Sequence, residues 1–366
     1  MEENRDFLTS QIITYLGNKR SLINEIEKSV IDIKQKLNKE KCVCADLFAG
    51  SGIVSRMLKK HSNRLIVNDL ESYSYLINSC YLSNMSIFNE KLYTEIYNEI
   101  QSKFETLKVE GIVSENYAPK DDNEIKYGER VFYTHENAVR IDTYRKLIND
   151  YTDSYSEKYF LAPLITEASV HTNTSGVFKG FYKDKNTGIG CFGGTGKNAL
   201  NRIFGKIELL KPVFSNFETE LILYQEDISS LVKKMKQIDI TYLDPPYNQH
   251  PYGSNYFMLN LIIKNKIEAP MSKVSGIVND WNRSIFNKPH IALKGMEHII
   301  SSLDSKFIII SYNSEGFITL EEMTSMLEKY GKLKIEEIKY NTFRGSRNLR
   351  ERNIHVNEYL FILEKK

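Results

Sequence analysis

Cysteine, histidine and proline are sparse in this 366-residue chain, and long apolar runs are missing. The four cysteines, at 42, 44, 80 and 191, form no CxxC pair and no paired clusters. That argues against a disulfide scaffold and against a structural zinc site. The seven histidines are scattered without HxxxH spacing, so no histidine-held metal is expected. No stretch approaches the ~20 apolar residues that span a bilayer. The opening MEENRDFLTS is polar and acidic, unlike a signal or transit peptide. A cytoplasmic protein in a reducing compartment is therefore expected. Net charge is nearly absent too: 49 Lys and Arg against 47 Asp and Glu leave +2, which alone points to no polyanionic partner.

What is present suits a globular protein: 41% hydrophobic and 26% charged residues, at a length that allows roughly two domains. Residues 43–49 (VCADLFA) form an apolar run ending in Gly-Ser-Gly, which predicts a strand entering a tight turn. Ile53, Val54, Met57 and Leu58 then fall at helical spacing, and Leu65-Ile66-Val67 predicts a second strand closed by Asn68-Asp69. This is the size of a βαβ crossover. Further strands are predicted at 219–224, 238–243, 306–312 and 356–363, with a helix from Leu320 to Tyr330 ended by Gly331. Their β-branched content with little alternation fits strands buried on both faces, as in a parallel sheet. The stretch between is helical in pattern, then glycine-rich and basic, with seven Lys or Arg against two Asp or Glu from Gly176 to Lys211. The simplest architecture is one α/β domain, residues 1–87 and 218–366, carrying an inserted and mainly helical module at 88–217.

The sharpest local signal is Leu243-Asp244-Pro245-Pro246-Tyr247, directly after a predicted strand. Two prolines fix φ and remove two backbone donors, so the strand stops there. They leave the Asp244 carboxylate and the Pro245 carbonyl as rigid acceptors at the strand's C-terminal edge, where open α/β sheets bind ligands. Acceptors beside the Tyr247 ring suit a flat heterocycle with an exocyclic amino group. The second signal is Asp46-Leu47-Phe48-Ala49-Gly50-Ser51-Gly52. Glycines allow close backbone approach, and the helix behind them offers its N-terminus. Ser55 stands where a dinucleotide fingerprint wants a third glycine. Asp46, aimed into the same cleft, suits a cationic ammonium rather than a pyrophosphate, and Asp69 takes the place of a ribose-binding acid. Gly193-Gly194-Thr195-Gly196-Lys197-Asn198 only superficially resembles a P-loop, because Cys191 and Asn198 break the pattern.

Together, Tyr15-Leu16-Gly17-Asn18-Lys19, DLFAGSG, Asn68-Asp69 and Asp244-Pro-Pro-Tyr247 resemble the Dam-like DNA N6-adenine methyltransferases. The motif order is similar to their alpha group, and the likeness runs from Tyr15 to the last strand. Phe132-Tyr133-Thr134 with Glu136-Asn137, and Asn173-Thr174-Ser175-Gly176, resemble blocks of restriction-modification members. The resemblance implies a Rossmann-like class I methyltransferase sheet with S-adenosylmethionine (SAM) as cofactor and double-stranded DNA as partner. It implies Tyr15, Gly17, Lys19, Asp46, Phe48, Gly50, Gly52, Asp69 and Asp227 around SAM, with Lys19 on its carboxylate and Asp227 on its adenine amino group. Asp244, Pro245, Pro246 and Tyr247 would be catalytic. Asn18 departs from the usual second glycine of the N-terminal motif.

An adenine stacked in a duplex is out of reach, so the base has to be flipped out, with Tyr247 replacing lost stacking. A second aromatic is expected on its other face, with Tyr256 and Phe343 as candidates. Candidate DNA contacts are Asn173, Lys179, Lys183, Lys185, Lys197, Arg283, Arg344, Arg347, Arg350 and Arg352. A monomer is expected, with a cognate restriction endonuclease as functional partner. The alternatives are N4-cytosine in DNA, adenine in RNA, or a catalytically silent SAM- or DNA-binding protein. A nicotinamide-dependent oxidoreductase fits worst, given Ser55 and the Asp-Pro-Pro-Tyr block.

Overall fold

Seven strands build one sheet in the order β3-β2-β1-β4-β5-β7-β6. They are β1 (Cys42–Asp46), β2 (Ser62–Asn68), β3 (Glu220–Tyr224), β4 (Ile238–Leu243), β5 (Ser305–Asn313), β6 (Gly331–Asn341) and β7 (His355–Lys365). This computed structural model describes residues 2–194, 196, 197, 199–341 and 355–366. The strands β3, β2, β1, β4 and β5 run parallel, whereas β7 inserts antiparallel between β5 and β6. The central strands β1 and β4 are covered on both faces, which explains their unbroken apolar character.

The predicted strands lie where their apolar runs are, and the predicted helix is Leu320–Leu327. The pattern missed β6, whose Lys-Leu-Lys-Ile-Glu-Glu-Ile-Lys mixes charged with apolar residues, as suits a strand at the edge of the described sheet. It also suggested a parallel sheet throughout. Instead β7 pairs antiparallel with both β5 and β6, so the sheet is mixed.

Residues 88–217 contribute the helices Glu90–Phe104, Ile112–Tyr117, His135–Tyr151, Lys158–Val170 and Leu200–Phe204. Their buried faces (Tyr93, Ile100, Tyr144, Phe160, Leu164) share one hydrophobic core with Tyr73 and Ile77 of the helix Ser72–Tyr81 and with Phe257 and Leu261 of the helix Phe257–Lys264. The helical region is thus packed onto the sheet's helices rather than tethered by a linker. The other two cores cover the two faces of the sheet. Among the described residues, no helix is long and apolar enough to cross a membrane.

Candidate active site

The strand order reverses between β1 and β4, and a cleft of about 860 Å³ opens there. It is lined by the residues that follow four neighbouring strands: Leu47–Ser51 after β1, Asn68–Glu71 after β2, Glu226–Ile228 after β3, and Asp244 and Pro246 after β4. Carboxyl ends at a topological switch point are where open α/β sheets bind ligands. The N-terminal segment closes the cleft with Tyr15, Gly17, Asn18 and Lys19. Sequence reasoning thus brought Tyr15, Gly17, Lys19, Asp46, Phe48, Gly50, Asp69, Asp227 and Asp244 to one place.

The loop after β1 needs its glycines. Gly50 has φ +53° and lies so close to Tyr15 that a Cβ there would sit 2.7 Å from Tyr15 Cε1. Gly52 has φ +77°, and its Cβ would meet Asn78 Oδ1 at 2.4 Å. Tyr15 has little room to retreat, since its ring packs against both Tyr252 and Tyr256 at 5.0 Å from each. Gly50→Ala is therefore expected to lower stability by about 1–3 kcal/mol and to weaken SAM binding, as thermal melts and calorimetry would show. Ser55, in the place of a third glycine, donates its hydroxyl to Asp46 Oδ2 at 2.6 Å. Asn18, in the place of the motif's second glycine, caps the turn Lys19–Leu22 by accepting the Arg20 N–H at 2.8 Å.

Asp46 is buried, and its Oδ1 has no hydrogen-bond partner among the described residues. Burial pushes its carboxyl up to about 7, against the bond from Ser55 and with the nearby Asp244 charge adding to the rise. Asp69 accepts the Gly50 N–H at 2.7 Å and the Glu71 N–H at 2.9 Å, bracing the loops after β1 and β2 together. Asp227 caps the turn Ile228–Leu231 through the Ser229 N–H. The lining carries six carboxylates (Asp46, Asp69, Glu71, Glu226, Asp227, Asp244) and, among its described residues, one cation, Lys19. Such a cleft repels a pyrophosphate and suits a ligand with a sulfonium, an ammonium and one carboxylate, whose net charge is positive. The orphaned Asp46 Oδ1 fits that ammonium, so the donor set agrees with SAM.

Asp244 stands half-buried at the end of β4, with Lys19 Nζ 3.0 Å from its Oδ1. The same Nζ is 2.9 Å from Glu358 Oε1 on β7. Lys19 therefore already serves two carboxylates of the protein, and one ammonium hydrogen is left for a cofactor carboxylate. Burial opposes the Lys19 charge, but Asp244 and Glu358 overcome it and hold its pKa well above the ordinary lysine value. Burial raises Asp244 to about 7; Lys19 works against the rise and Glu358 with it. Tyr247 accepts the Phe317 N–H through its carbonyl, and its ring meets Tyr312 edge-on at 6.4 Å.

Two expected DNA contacts change. Tyr256 is fully buried in the stack with Tyr15, its hydroxyl accepting the Leu16 N–H at 2.8 Å, so it offers no face to a base. Tyr252, one turn earlier in the same aromatic ladder, lines the cleft instead. Asn173 is also fully buried. Its amide donates to the Val131 and Cys191 carbonyls and accepts the Gly193 N–H, so it braces the glycine-rich loop rather than meeting a ligand. Asn137 of the other middle block is likewise buried, holding Ile203, Gly205 and Ile207.

Lys179, Lys183, Lys185, Lys197 and Arg283 are all exposed. Lys183 and Lys185 ride on a small turn closed by the Lys183–Gly190 bridge. Lys179 Nζ lies 3.1 Å from His250, in the loop that follows Tyr247, and Phe178 N–H donates to Asn255. The basic loop is thereby fastened beside the Asp-Pro-Pro-Tyr turn. Arg283 covers Trp281 at 4.5 Å, between the cleft-lining Asn282 and Ser284. Phe343, Arg344, Arg347, Arg350 and Arg352 lie outside the described residues. The sequence argument missed Glu71 and Glu358. Glu358 left a readable trace, a lone acid inside the apolar VNEYLFIL strand.

Sheet order, switch-point cleft and acidic lining define a Rossmann-like, SAM-dependent methyltransferase. More narrowly, the chain belongs to the family of D12 class N6 adenine-specific DNA methyltransferases, whose profile matches residues 15–326. It is 30% identical over 362 residues to Type II methyltransferase M.NlaIII of Neisseria lactamica, covering 96% of this chain and 99% of that one. It is 29% identical over 368 residues to Type II methyltransferase M.CviAII of Paramecium bursaria Chlorella virus 1, covering 96% and 98%. Type II methyltransferase M.FokI of Planomicrobium okeanokoites is 26% identical over 366 residues, which take in 96% of this chain but 52% of that protein. The chain is therefore an enzyme that transfers a methyl group from SAM to N6 of adenine in DNA.

Proposed function

We propose that the cleft methylates a flipped-out adenine at a specific site in duplex DNA and so protects host DNA beside a cognate restriction endonuclease. The observation that carries this reading is Asp244 on the Pro-Pro turn after β4, lining the acidic cleft with the Lys19 ammonium beside it. The adenine amino nitrogen is a poor nucleophile because its lone pair is delocalised into the ring. Asp244 and the Pro245 carbonyl accept its two N–H bonds, turning the nitrogen toward tetrahedral geometry and exposing the lone pair. SAM, when bound, supplies an electrophilic methyl group on a sulfonium. The N6–methyl bond forms as the sulfur–methyl bond breaks, and the proton made acidic by the transfer leaves through Asp244 to solvent. Tyr247 stacks on the flipped base, and Tyr252 is the aromatic available for its other face. Proximity and preorganised acceptors supply the rate enhancement.

Residues 88–217 are the target-recognition region in this reading, and the enzyme acts as a monomer on cytoplasmic DNA. Lys179, Lys183, Lys185, Lys197 and Arg283 neutralise phosphates. Replacing Lys183 and Lys185 together by alanine is expected to weaken binding of all DNA sequences alike and to reduce the salt slope of binding by roughly 2. Binding isotherms at several salt concentrations would check this; an unchanged slope removes these lysines from the interface. The test of the whole reading is expression in a methylation-free host, followed by long-read mapping of modified bases with the Asp244→Ala variant as control. A short motif carrying N6-methyladenine only with the wild type supports it. Unmodified DNA from soluble, SAM-binding protein overturns it.

A further inference from the structure

Glu358 is a carboxylate with no accessible surface, set in a strand whose neighbours Leu360 and Ile362 are apolar. A buried charge of this kind costs several kcal/mol unless its oxygens are met. They are met by Lys19 Nζ at 2.9 Å, by the Ser311 hydroxyl and by the Asn313 amide at 3.3 Å. Because β7 runs antiparallel to β5, the start of β7 lies at the carboxyl edge of β5, and Glu358 pairs with Asn313 there. That register brings a carboxylate of the last strand to the ammonium that also holds Asp244.

We propose that Glu358 is a positioning residue for methyl transfer, sharing the Lys19 ammonium with Asp244 so that Asp244 keeps both its place and its strength as a hydrogen-bond acceptor. The inference rests on the reading of Asp244 as acceptor of the adenine amino hydrogens. A lysine given wholly to Asp244 would neutralise it and weaken it as an acceptor. Shared between two carboxylates, the trio carries one surplus negative charge. Glu358 is further satisfied by Ser311, on the oxygen that meets Lys19, and by Asn313 on the other, so the surplus falls on Asp244, at the cleft. There it meets the amino hydrogens and the positive charge that develops on N6 as the methyl arrives. The other groups near Asp244 are Asp46 and the phenols of Tyr242 and Tyr252. Of these, Asp46 would also raise the proton affinity of Asp244, so saturating SAM is needed to hold its charge constant.

The test is turnover at saturating SAM and DNA across about pH 5.5 to 9, where the acid limb reports the acceptor's protonation. Glu358→Gln is expected to lower kcat by roughly 10- to 100-fold and to move the acid limb toward lower pH by roughly one unit, since a like charge has been removed. SAM affinity, measured by calorimetry, should stay within about 3-fold, because the orphaned Asp46 oxygen is untouched. Glu358→Asp keeps the charge and should keep the limb where the wild type has it, at a reduced kcat. It also decides the matter if the glutamine variant does not fold. A glutamine variant with an unmoved limb, an aspartate variant whose limb moves, or a flat wild-type profile overturns the proposal. Asp244→Ala is assayed alongside: an active Asp244→Ala enzyme sinks the acceptor reading itself. An inactive one beside an unmoved Glu358→Gln limb sinks only the role of Glu358.

Discussion

Asp244→Ala is expected to cut methylation by at least roughly 10³-fold, the range seen when a preorganised transition-state contact is removed, while SAM affinity changes by no more than about 3-fold. The second half of that expectation comes from the geometry. Lys19 loses one partner at 3.0 Å but keeps Glu358 at 2.9 Å, so no buried ammonium is left unpaired. Asp46, whose free oxygen fits the cofactor's ammonium, is held by Ser55 rather than by Asp244. The loss thus falls on the chemistry and spares both fold and cofactor. Asp244→Asn sharpens the point, since its amide retains one acceptor oxygen but can present a donor to the amino hydrogens. It should lie close to the alanine variant. Transfer of labelled methyl groups to DNA, with calorimetry of SAM in parallel, checks both halves. Wild-type turnover in either variant would remove Asp244 from the mechanism.

The legible part of the site was the part carried by contiguous residues. The Asp-Pro-Pro-Tyr turn and the Asp46 to Gly52 loop announce themselves because proline and glycine restrict the backbone locally, and each follows an apolar run that can only be a buried strand. Their meeting in one cleft follows from parallel strands, whose carboxyl ends must face the same way. Glu358 was hidden for the opposite reason. It reaches Lys19 across 339 positions, through an antiparallel strand that local pattern cannot orient. Asn173 and Tyr256 misled because a polar side chain near glycines, or an aromatic after a catalytic turn, has the same composition whether it faces a ligand or the core. Only burial separates the cases: Asn173 is spent on three backbone groups, and Tyr256 lies under Tyr15.

Asp46→Asn is expected to weaken SAM binding and, without SAM, to make the protein more stable. The fold raises the Asp46 carboxyl from 3.8 to about 7, chiefly by burial. The folded state therefore holds its proton more tightly than the unfolded chain does. The cost of ionising it is absent below about pH 4, builds as the pH rises, and is complete above about pH 7. Asparagine removes that cost, keeps an oxygen for the Ser55 hydroxyl, and should add a few kcal/mol at about pH 8, with no gain at about pH 4. In melting temperature this is a rise of a few degrees. Binding runs the other way. A cationic ligand favours the ionised carboxylate, so wild-type affinity for SAM should fall as pH drops through about 7. The variant should bind roughly 10- to 100-fold more weakly at about pH 7.5, the worth of a charge-assisted hydrogen bond, and should lack the Asp46 part of that pH dependence. Thermal melts and calorimetry over the same pH range separate the two effects. A variant that is both less stable and unchanged in SAM affinity would show that Asp46 braces the loop and does not hold the cofactor.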